Sequence, residues 1–170
     1  QAGAGGLGSV AILMAKRLGA IVHTTARHRN FNYVRGLGAD HVIDYSTSDY
    51  EQVLRVQEPD GLDVILESLL GDGIAEAAIR LAKTGGVVAY MNNEPPDMPE
   101  IAERNIKTAF LHHRPDGAML AELVAHFARG TFPIPRIKVL DLDAAQEAHR
   151  QSESGQTQGK LVLKISDLLT

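Results

Sequence analysis

A glycine-rich turn at the start of the chain contains residues whose types and spacing suggest a defined chemistry. Gly3, Gly5 and Gly8 match the pattern G-x-G-x-x-G, and a predicted helix begins at Leu7. The first glycine permits a tight turn, the second lets the backbone approach a pyrophosphate, and the third lets the helix pack closely on a sheet. Backbone N–H groups at the helix N-terminus would then bind phosphate oxygens. The spacing predicts a dinucleotide site, and a tight turn without a ligand is the alternative.

Arginines follow the next predicted strand, at a position where NAD-binding proteins carry an acid. An Asp or Glu roughly 20 residues after the glycine turn normally binds the ribose 2′-hydroxyl of NAD. This sequence has Arg27 and Arg29 in that region, and no acidic residue occurs before Asp40. A guanidinium suits a phosphate because it donates parallel, charge-assisted hydrogen bonds. The pattern therefore predicts NADP(H) rather than NAD(H), and for either arginine alone a solvent-exposed charge is the alternative.

Composition argues against several other classes of site. A net charge of -4 gives no basic surplus for binding nucleic acid. The chain has no cysteine and no HxH or HExxH pattern, so we expect no metal. The segment GQTQGK at residues 155–160 lacks the spacing and the following Ser or Thr of a phosphate-binding loop. No apolar run approaches the roughly 18 residues that span a bilayer. We therefore expect a cytoplasmic protein with neither a nucleic acid nor a membrane as partner.

Alternating apolar runs and helical segments predict the elements that position these residues. Helices are predicted over 7–18, 30–37, 48–56 (after a Ser or Thr cap), 74–83, 117–129 and 144–152. Strands are predicted over 20–25, 41–44, 63–67, 86–91, 107–112, 137–140 and 160–165, with a loop over 92–99. Strands that alternate with helices of this length indicate βαβ units. We expect an α/β protein with a doubly wound parallel sheet of the Rossmann type.

Several segments together resemble the medium-chain dehydrogenase/reductase superfamily. They are GAGGLGSVAILMAKRLGA, LGADHVIDY, DVILES and LAKTGGVVAYM, with AQEAHRQSESGQTQGKLVLKI near the end. Quinone oxidoreductases and zinc-type alcohol dehydrogenase-like proteins are the most similar groups. The resemblance implies a dinucleotide-binding Rossmann domain over residues 1–135. It also implies that residues 136–170 form a C-terminal segment that returns toward a catalytic domain.

The resemblance further implies which residues contact the cofactor. The pyrophosphate would lie against the glycine turn, the 2′-phosphate near Ala26–Asn30, and the nicotinamide near the ends of the later strands. The expected cofactor-binding residues are Gly3, Gly5, Gly6, Leu7, Gly8, Ala26, Arg27, Arg29, Asn30, Tyr45, Glu67, Ser68, Met91, Asn92, Phe110 and Leu111. Core packing is the alternative for Phe110 and Leu111, and Tyr45 could instead cover the sheet edge.

The glycine turn lies at the very start of the chain, so the strand that should precede it is absent from this sequence. That strand is central in a doubly wound sheet, and we therefore expect a fragment of a longer enzyme. By resemblance, the enzyme transfers hydride between NADP(H) and a carbonyl or conjugated alkene of a small molecule. Its catalytic groups, and zinc ligands if it has any, would lie upstream. We expect a homodimer formed through the strand at 107–112. A non-catalytic NADPH-binding or sensing module is the alternative function.

Overall fold

Helices and strands alternate along the chain in a computed structural model that describes residues 1–165. The helices are α1 (Gly6–Arg17), α2 (Phe31–Gly36), α3 (Tyr50–Gln57), α4 (Ile74–Leu81), α5 (Pro99–Glu103), α6 (Gly117–Ala128) and α7 (Ala145–Glu153). The strands are β1 (His23–Thr25), β2 (His41–Ile43), β3 (Leu62–Glu67), β4 (Ala82–Tyr90), β5 (Lys107–Phe110), β6 (Ile137–Asp141) and β7 (Lys160–Lys164). Short 3₁₀ turns cover His28–Asn30 and Leu142–Ala144. The predicted α/β class is confirmed.

The chain divides into two compact units. The first, which we call the strand unit, comprises Gln1–Ala2 and Ile43–Asp116 and contains the parallel sheet β3-β4-β5. The second, which we call the turn unit, comprises Gly3–Val42 and the described residues from Gly117 to 165. It contains α1 and the parallel pair β6-β7, and β1 pairs with β2. The predicted domain boundary between residues 135 and 136 stays a prediction.

In the strand unit, the carboxyl ends of β3, β4 and β5 lie side by side at one edge of the sheet. Val88 and Tyr90 of β4 are fully buried, and α4 packs Ile79 against them. The Tyr90 hydroxyl donates to the Ala75 carbonyl at 2.9 Å, so its buried polar end is satisfied. The register pairs Glu67 with Tyr90, and Tyr90 with Phe110. The residues at these strand ends are therefore neighbours across the sheet.

The core of the turn unit fixes α1 and the glycine turn before it. Ile12 and Leu13 of α1 are buried against Val34 of α2. Gly19 ends α1 in a left-handed conformation, with φ at +81°, and its N–H donates to the Lys16 carbonyl at 2.9 Å. This is the glycine stop that the sequence predicted.

Two predicted helix boundaries were wrong, one because of strand pairing and the other because of a local cap. β4 starts at Ala82, where the sequence predicted a helix to residue 83, because Ala82 pairs with Leu62 of β3. The N-cap of α3 is Asp49, whose carboxylate accepts from the Glu51 N–H at 2.9 Å, rather than a Ser or Thr. β3 is not buried throughout, since Val64 is 68% exposed.

Smaller differences concern the segments after β4. The predicted loop contains the start of the short helix α5, which has Pro99 in its first turn, where a missing N–H costs nothing. β5 ends at Phe110, so Leu111 and His112 lie outside the strand in which the sequence placed them. Among the described residues, no helix is both long and apolar enough to cross a membrane.

Candidate functional site

The glycine turn leads directly into α1 in the turn unit. Gly5 precedes the helix in an extended conformation, and the first helical turn contains no acidic residue. The Gly3 N–H donates to the Thr25 carbonyl at 3.1 Å, and the buried Ser9 hydroxyl donates to the Gly5 carbonyl at 2.7 Å. These bonds hold the turn in place at the positive end of the helix dipole, where an anion is stabilised.

Close approach of other groups explains why glycines occupy the turn. A Cβ at Gly3 would overlap the side chain of Thr24. A Cβ at Gly6 would lie 2.8 Å from Cδ and 3.0 Å from Nζ of Lys160. Gly3 and Gly8 are buried, whereas Leu7 is 44% exposed. Gly5 and Gly6 are half-buried, and a larger residue at Gly3 or Gly6 would collide with these neighbours.

Lys160 is a candidate residue that the sequence analysis missed. The start of β7 runs along the turn, since Gly159 forms a parallel bridge with Gly5 and its N–H donates to the Ala4 carbonyl at 2.8 Å. This pairing places the Lys160 side chain against Gly6. The segment GQTQGK contains this lysine, but Lys160 begins a strand rather than a helix, so the segment is not a phosphate-binding loop.

The segment after β1 is held by the C-terminal part of the same unit. Ala26 is buried, Arg27 is half-buried and Arg29 is exposed. The Arg29 guanidinium donates to Gln156 Oε1 at 2.9 Å, and Gln158 Nε2 donates to Asn30 Oδ1 at 3.1 Å. The structure thus brings Arg29 and Asn30 together with glutamines that the sequence analysis did not include.

Glu67 is the most unusual candidate in the strand unit. Its side chain is 1% exposed at the end of β3. Oε1 accepts a short hydrogen bond from the Leu69 N–H, whereas Oε2 has no hydrogen-bond partner in the part of the chain that the structure describes. Burial raises the pKa of the Glu67 carboxyl above its ordinary value.

The other strand-end candidates surround Glu67 or follow the neighbouring strands. The Met91 N–H donates to the Glu67 carbonyl at 2.9 Å, and Asn92 Nδ2 donates to the Ser68 carbonyl at 2.6 Å. These four residues therefore form one cluster.

The remaining candidates of the strand unit are more exposed than Glu67. Phe110 is half-buried and packs on the core, as the alternative interpretation expected. Leu111 is 42% exposed, and its N–H donates to the Tyr90 carbonyl. Tyr45, in the loop after β2, is 46% exposed. No group of three or more His, Asp or Glu within residues 1–165 could hold a metal ion.

Comparisons with known proteins agree with this arrangement. The family model for zinc-binding dehydrogenases matches residues 37–163. The spectinabilin polyketide synthase system protein NorB of Streptomyces orinoci is 34% identical over 176 residues, which cover 97% of this chain and 8% of that protein. The chain thus spans less than about a tenth of this relative.

Solved structures show the same fold. The quinone oxidoreductase of Coxiella burnetii is 27% identical, with a TM-score of 0.83 over 96% of this chain and 51% of that one. An NAD-dependent alcohol dehydrogenase is 25% identical, with a TM-score of 0.82 over 96% of this chain and 49% of that one. The chain therefore spans about half the length of these proteins. It belongs to the zinc-binding dehydrogenase family of the medium-chain dehydrogenase/reductase superfamily and corresponds to the nucleotide-binding region of those oxidoreductases.

Proposed function

We propose that the chain is the cofactor-binding part of an NADP(H)-dependent oxidoreductase. The enzyme would transfer hydride to or from a carbonyl or conjugated alkene of a small molecule, such as a quinone. The observation that carries this proposal is the glycine turn at the N-terminus of α1, which is followed after β1 by Arg27 and Arg29. When bound, the nicotinamide supplies the hydride chemistry, and this chain binds and orients the cofactor.

The glycine turn fits a pyrophosphate. Backbone N–H groups at Gly6 and Leu7 lie at the start of α1, and no acid in the first helical turn opposes an anion. The Lys160 ammonium group lies against Gly6, where it would neutralise a phosphate oxygen. Gly3 and Gly8 are buried in the turn.

The choice of NADP(H) depends on the segment after β1. The carboxylate that would bind a free 2′-hydroxyl is missing, and Arg27 and Arg29 are present instead. One similar enzyme is NAD-dependent. Family membership alone therefore does not decide the cofactor, and the residues of this chain support NADP(H).

The strand-end cluster supports contacts with the nicotinamide half. Oε2 of Glu67 is buried without a hydrogen-bond partner among residues 1–165 and would form a hydrogen bond with a ribose hydroxyl or the carboxamide group. We assign Met91, Asn92, Phe110 and Leu111 to the same half, as the resemblance implies.

Substitution of the arginines tests the cofactor assignment. In the full-length protein, Arg27→Gln and Arg29→Gln should each weaken NADPH binding about tenfold, because one charge-assisted hydrogen bond to phosphate is lost. NADH binding should change less than about twofold, since NADH lacks the 2′-phosphate. Arg35→Gln, at an exposed arginine of α2, is the control. Equal losses for both nucleotides would contradict the assignment.

Hydride transfer separates an enzyme from a sensor. The full-length protein, mixed with NADPH and a quinone or an enone, should consume NADPH at a rate proportional to the protein concentration. Tight NADPH binding without consumption across carbonyl, quinone and enone panels would instead support a non-catalytic module.

We also propose that the enzyme is a homodimer formed through β5. Among the described strands, β5 is an edge of the sheet β3-β4-β5, and the Ala109 side chain is exposed on it. Ala109→Asp should convert the dimer to a monomer in light scattering, because it places charge on the pairing edge. Ala121→Asp, on exposed α6, should leave the dimer intact. A wild-type monomer would contradict the proposal.

A further inference from the structure

A cleft of about 500 Å³ in the turn unit is lined by residues from three parts of the chain. Arg29 comes from the 3₁₀ turn after β1, Arg136 immediately precedes β6, and Lys138 lies in β6. Gln151, Gln156 and Gln158 come from α7 and the loop before β7. We call this site the basic cleft, because its lining contains these three cationic side chains and no acidic one.

The cationic side chains of the basic cleft donate hydrogen bonds to uncharged glutamine side chains. Arg29 donates to Gln156 at 2.9 Å and Lys138 donates to Gln151 at 2.7 Å. The Arg136 guanidinium donates to Gln158. A glutamine oxygen is an uncharged acceptor, so each bond orients a cation without cancelling its charge.

Some cationic side chains outside the basic cleft differ from these because they form ion pairs with carboxylates. Lys16 forms an ion pair with Asp40 and Arg150 forms one with Glu147. Arg29 and Arg136 form no ion pair with any described residue, and Lys138 interacts with Glu147 only at a longer distance. A cleft with this charge favours a dianion that accepts several hydrogen bonds, such as a phosphate monoester.

Contacts with Tyr33 hold Arg136 in place before a ligand arrives. Its guanidinium carbon lies 5.3 Å from the centroid of the Tyr33 ring. Its backbone N–H donates to the Tyr33 hydroxyl at 3.1 Å. A cation fixed in this way loses little rotamer freedom on binding a phosphate, which increases affinity.

The position of the basic cleft identifies the phosphate. Arg29 lines the cleft and also belongs to the segment after β1, where the adenosine ribose 2′-position is expected in this fold. Asn30, in the same segment, accepts from Gln158 of the cleft lining. The cleft and the expected 2′-position therefore share one segment of the chain.

We propose that the basic cleft binds the 2′-phosphate of NADP(H), and that Arg136 and Lys138 of the C-terminal segment determine cofactor specificity together with Arg29. This inference rests on the proposed function and adds two residues to it that lie more than a hundred positions from the glycine turn. It also assigns a binding role to the start of β6.

Two nucleotides that differ in the 2′-phosphate test the inference. 2′,5′-ADP carries that phosphate, and 5′-AMP lacks it. In the full-length protein, Arg136→Gln and Lys138→Gln should each weaken 2′,5′-ADP about tenfold and change 5′-AMP less than about twofold. Arg17→Gln, at the end of α1 and outside the cleft lining, should change neither affinity. Lys138 bonds only to Gln151 in the described chain, so its variant tests the cleft even if Arg136→Gln fails to fold.

The outcomes separate this inference from the proposed function. If wild type prefers 2′,5′-ADP and neither variant reduces that preference, the 2′-phosphate lies elsewhere and the inference is overturned, while NADP(H) binding stands. An equal loss of both nucleotides also overturns it, because the residues would then act on the fold. A wild type that binds both nucleotides equally would instead overturn the NADP(H) assignment itself.

Discussion

Replacing Lys160 by methionine should weaken cofactor binding and leave the free protein at least as stable as before. Lys160 lies against Gly6, and its Nζ would be 3.0 Å from a Cβ at that position. Methionine keeps the apolar chain that covers Gly6 and removes only the charge. The two effects have opposite signs, which a general disruption of the fold would not produce.

The magnitudes follow from the position of Lys160 at the start of α1. In the free protein its charge faces the positive end of the helix dipole, a repulsion of about 0.3–1 kcal/mol at an exposed site. Removing it should raise the free energy of unfolding by about 0.5 kcal/mol. With the cofactor bound, the variant lacks one charge-assisted hydrogen bond to the pyrophosphate, which contributes about 1.5–3 kcal/mol. The dissociation constant for NADPH should rise roughly tenfold to hundredfold.

Calorimetric titration with NADPH and urea unfolding of the free protein measure the two effects. Lys164→Met, at the far end of β7, is the matched control and should change NADPH affinity less than about twofold. An unchanged NADPH affinity in Lys160→Met would refute the assignment of Lys160 to the pyrophosphate. A free variant less stable by more than about 1 kcal/mol would refute the electrostatic reasoning.

Three further substitutions test the surroundings of the site. Burial raises the pKa of Glu67, so the wild-type protein loses stability as the pH rises through that pKa. Glu67→Gln should therefore have a higher Tm than wild type at pH 8, and this difference in Tm should disappear below pH 4.5, the ordinary pKa of the group. The Arg80 hydrogen bonds lower the pKa of Glu51 to about 2, so Glu51→Gln should destabilise the protein by about 1 kcal/mol at pH 7. In urea unfolding, the difference in stability between this variant and wild type should disappear as the pH falls from 4.5 toward 2. Gly3→Ala should destabilise by about 1–3 kcal/mol, since its Cβ overlaps Thr24, and Thr24→Ala in the same chain should restore part of the loss in a double-mutant cycle.

Features set by neighbouring residues in the chain were predictable from sequence. The glycine turn and α1 follow from the glycine spacing and the stop at Gly19. The family resemblance was confirmed by the family match and the solved structures.

Features set by distant pairing were not predictable from sequence. Lys160 reaches Gly6 only because β7 pairs beside the turn, and the basic cleft forms because Arg136 meets residues more than a hundred positions earlier. The burial of Glu67 depends on its register with Tyr90. β4 begins at Ala82, ahead of Gly85 and Gly86, because Ala82 pairs with Leu62 of β3, and the register shifts between this pair and the pairing of Val64 with Val87.

The ratio of NADPH to NADH affinity in the full-length wild-type protein tests the central claim most directly. Both nucleotides contain the pyrophosphate that the glycine turn would bind, so the ratio isolates the contribution of the 2′-phosphate. We predict that NADPH binds at least about tenfold more tightly, from one or more charge-assisted hydrogen bonds to that phosphate. Equal affinities, or tighter binding of NADH, would contradict the account.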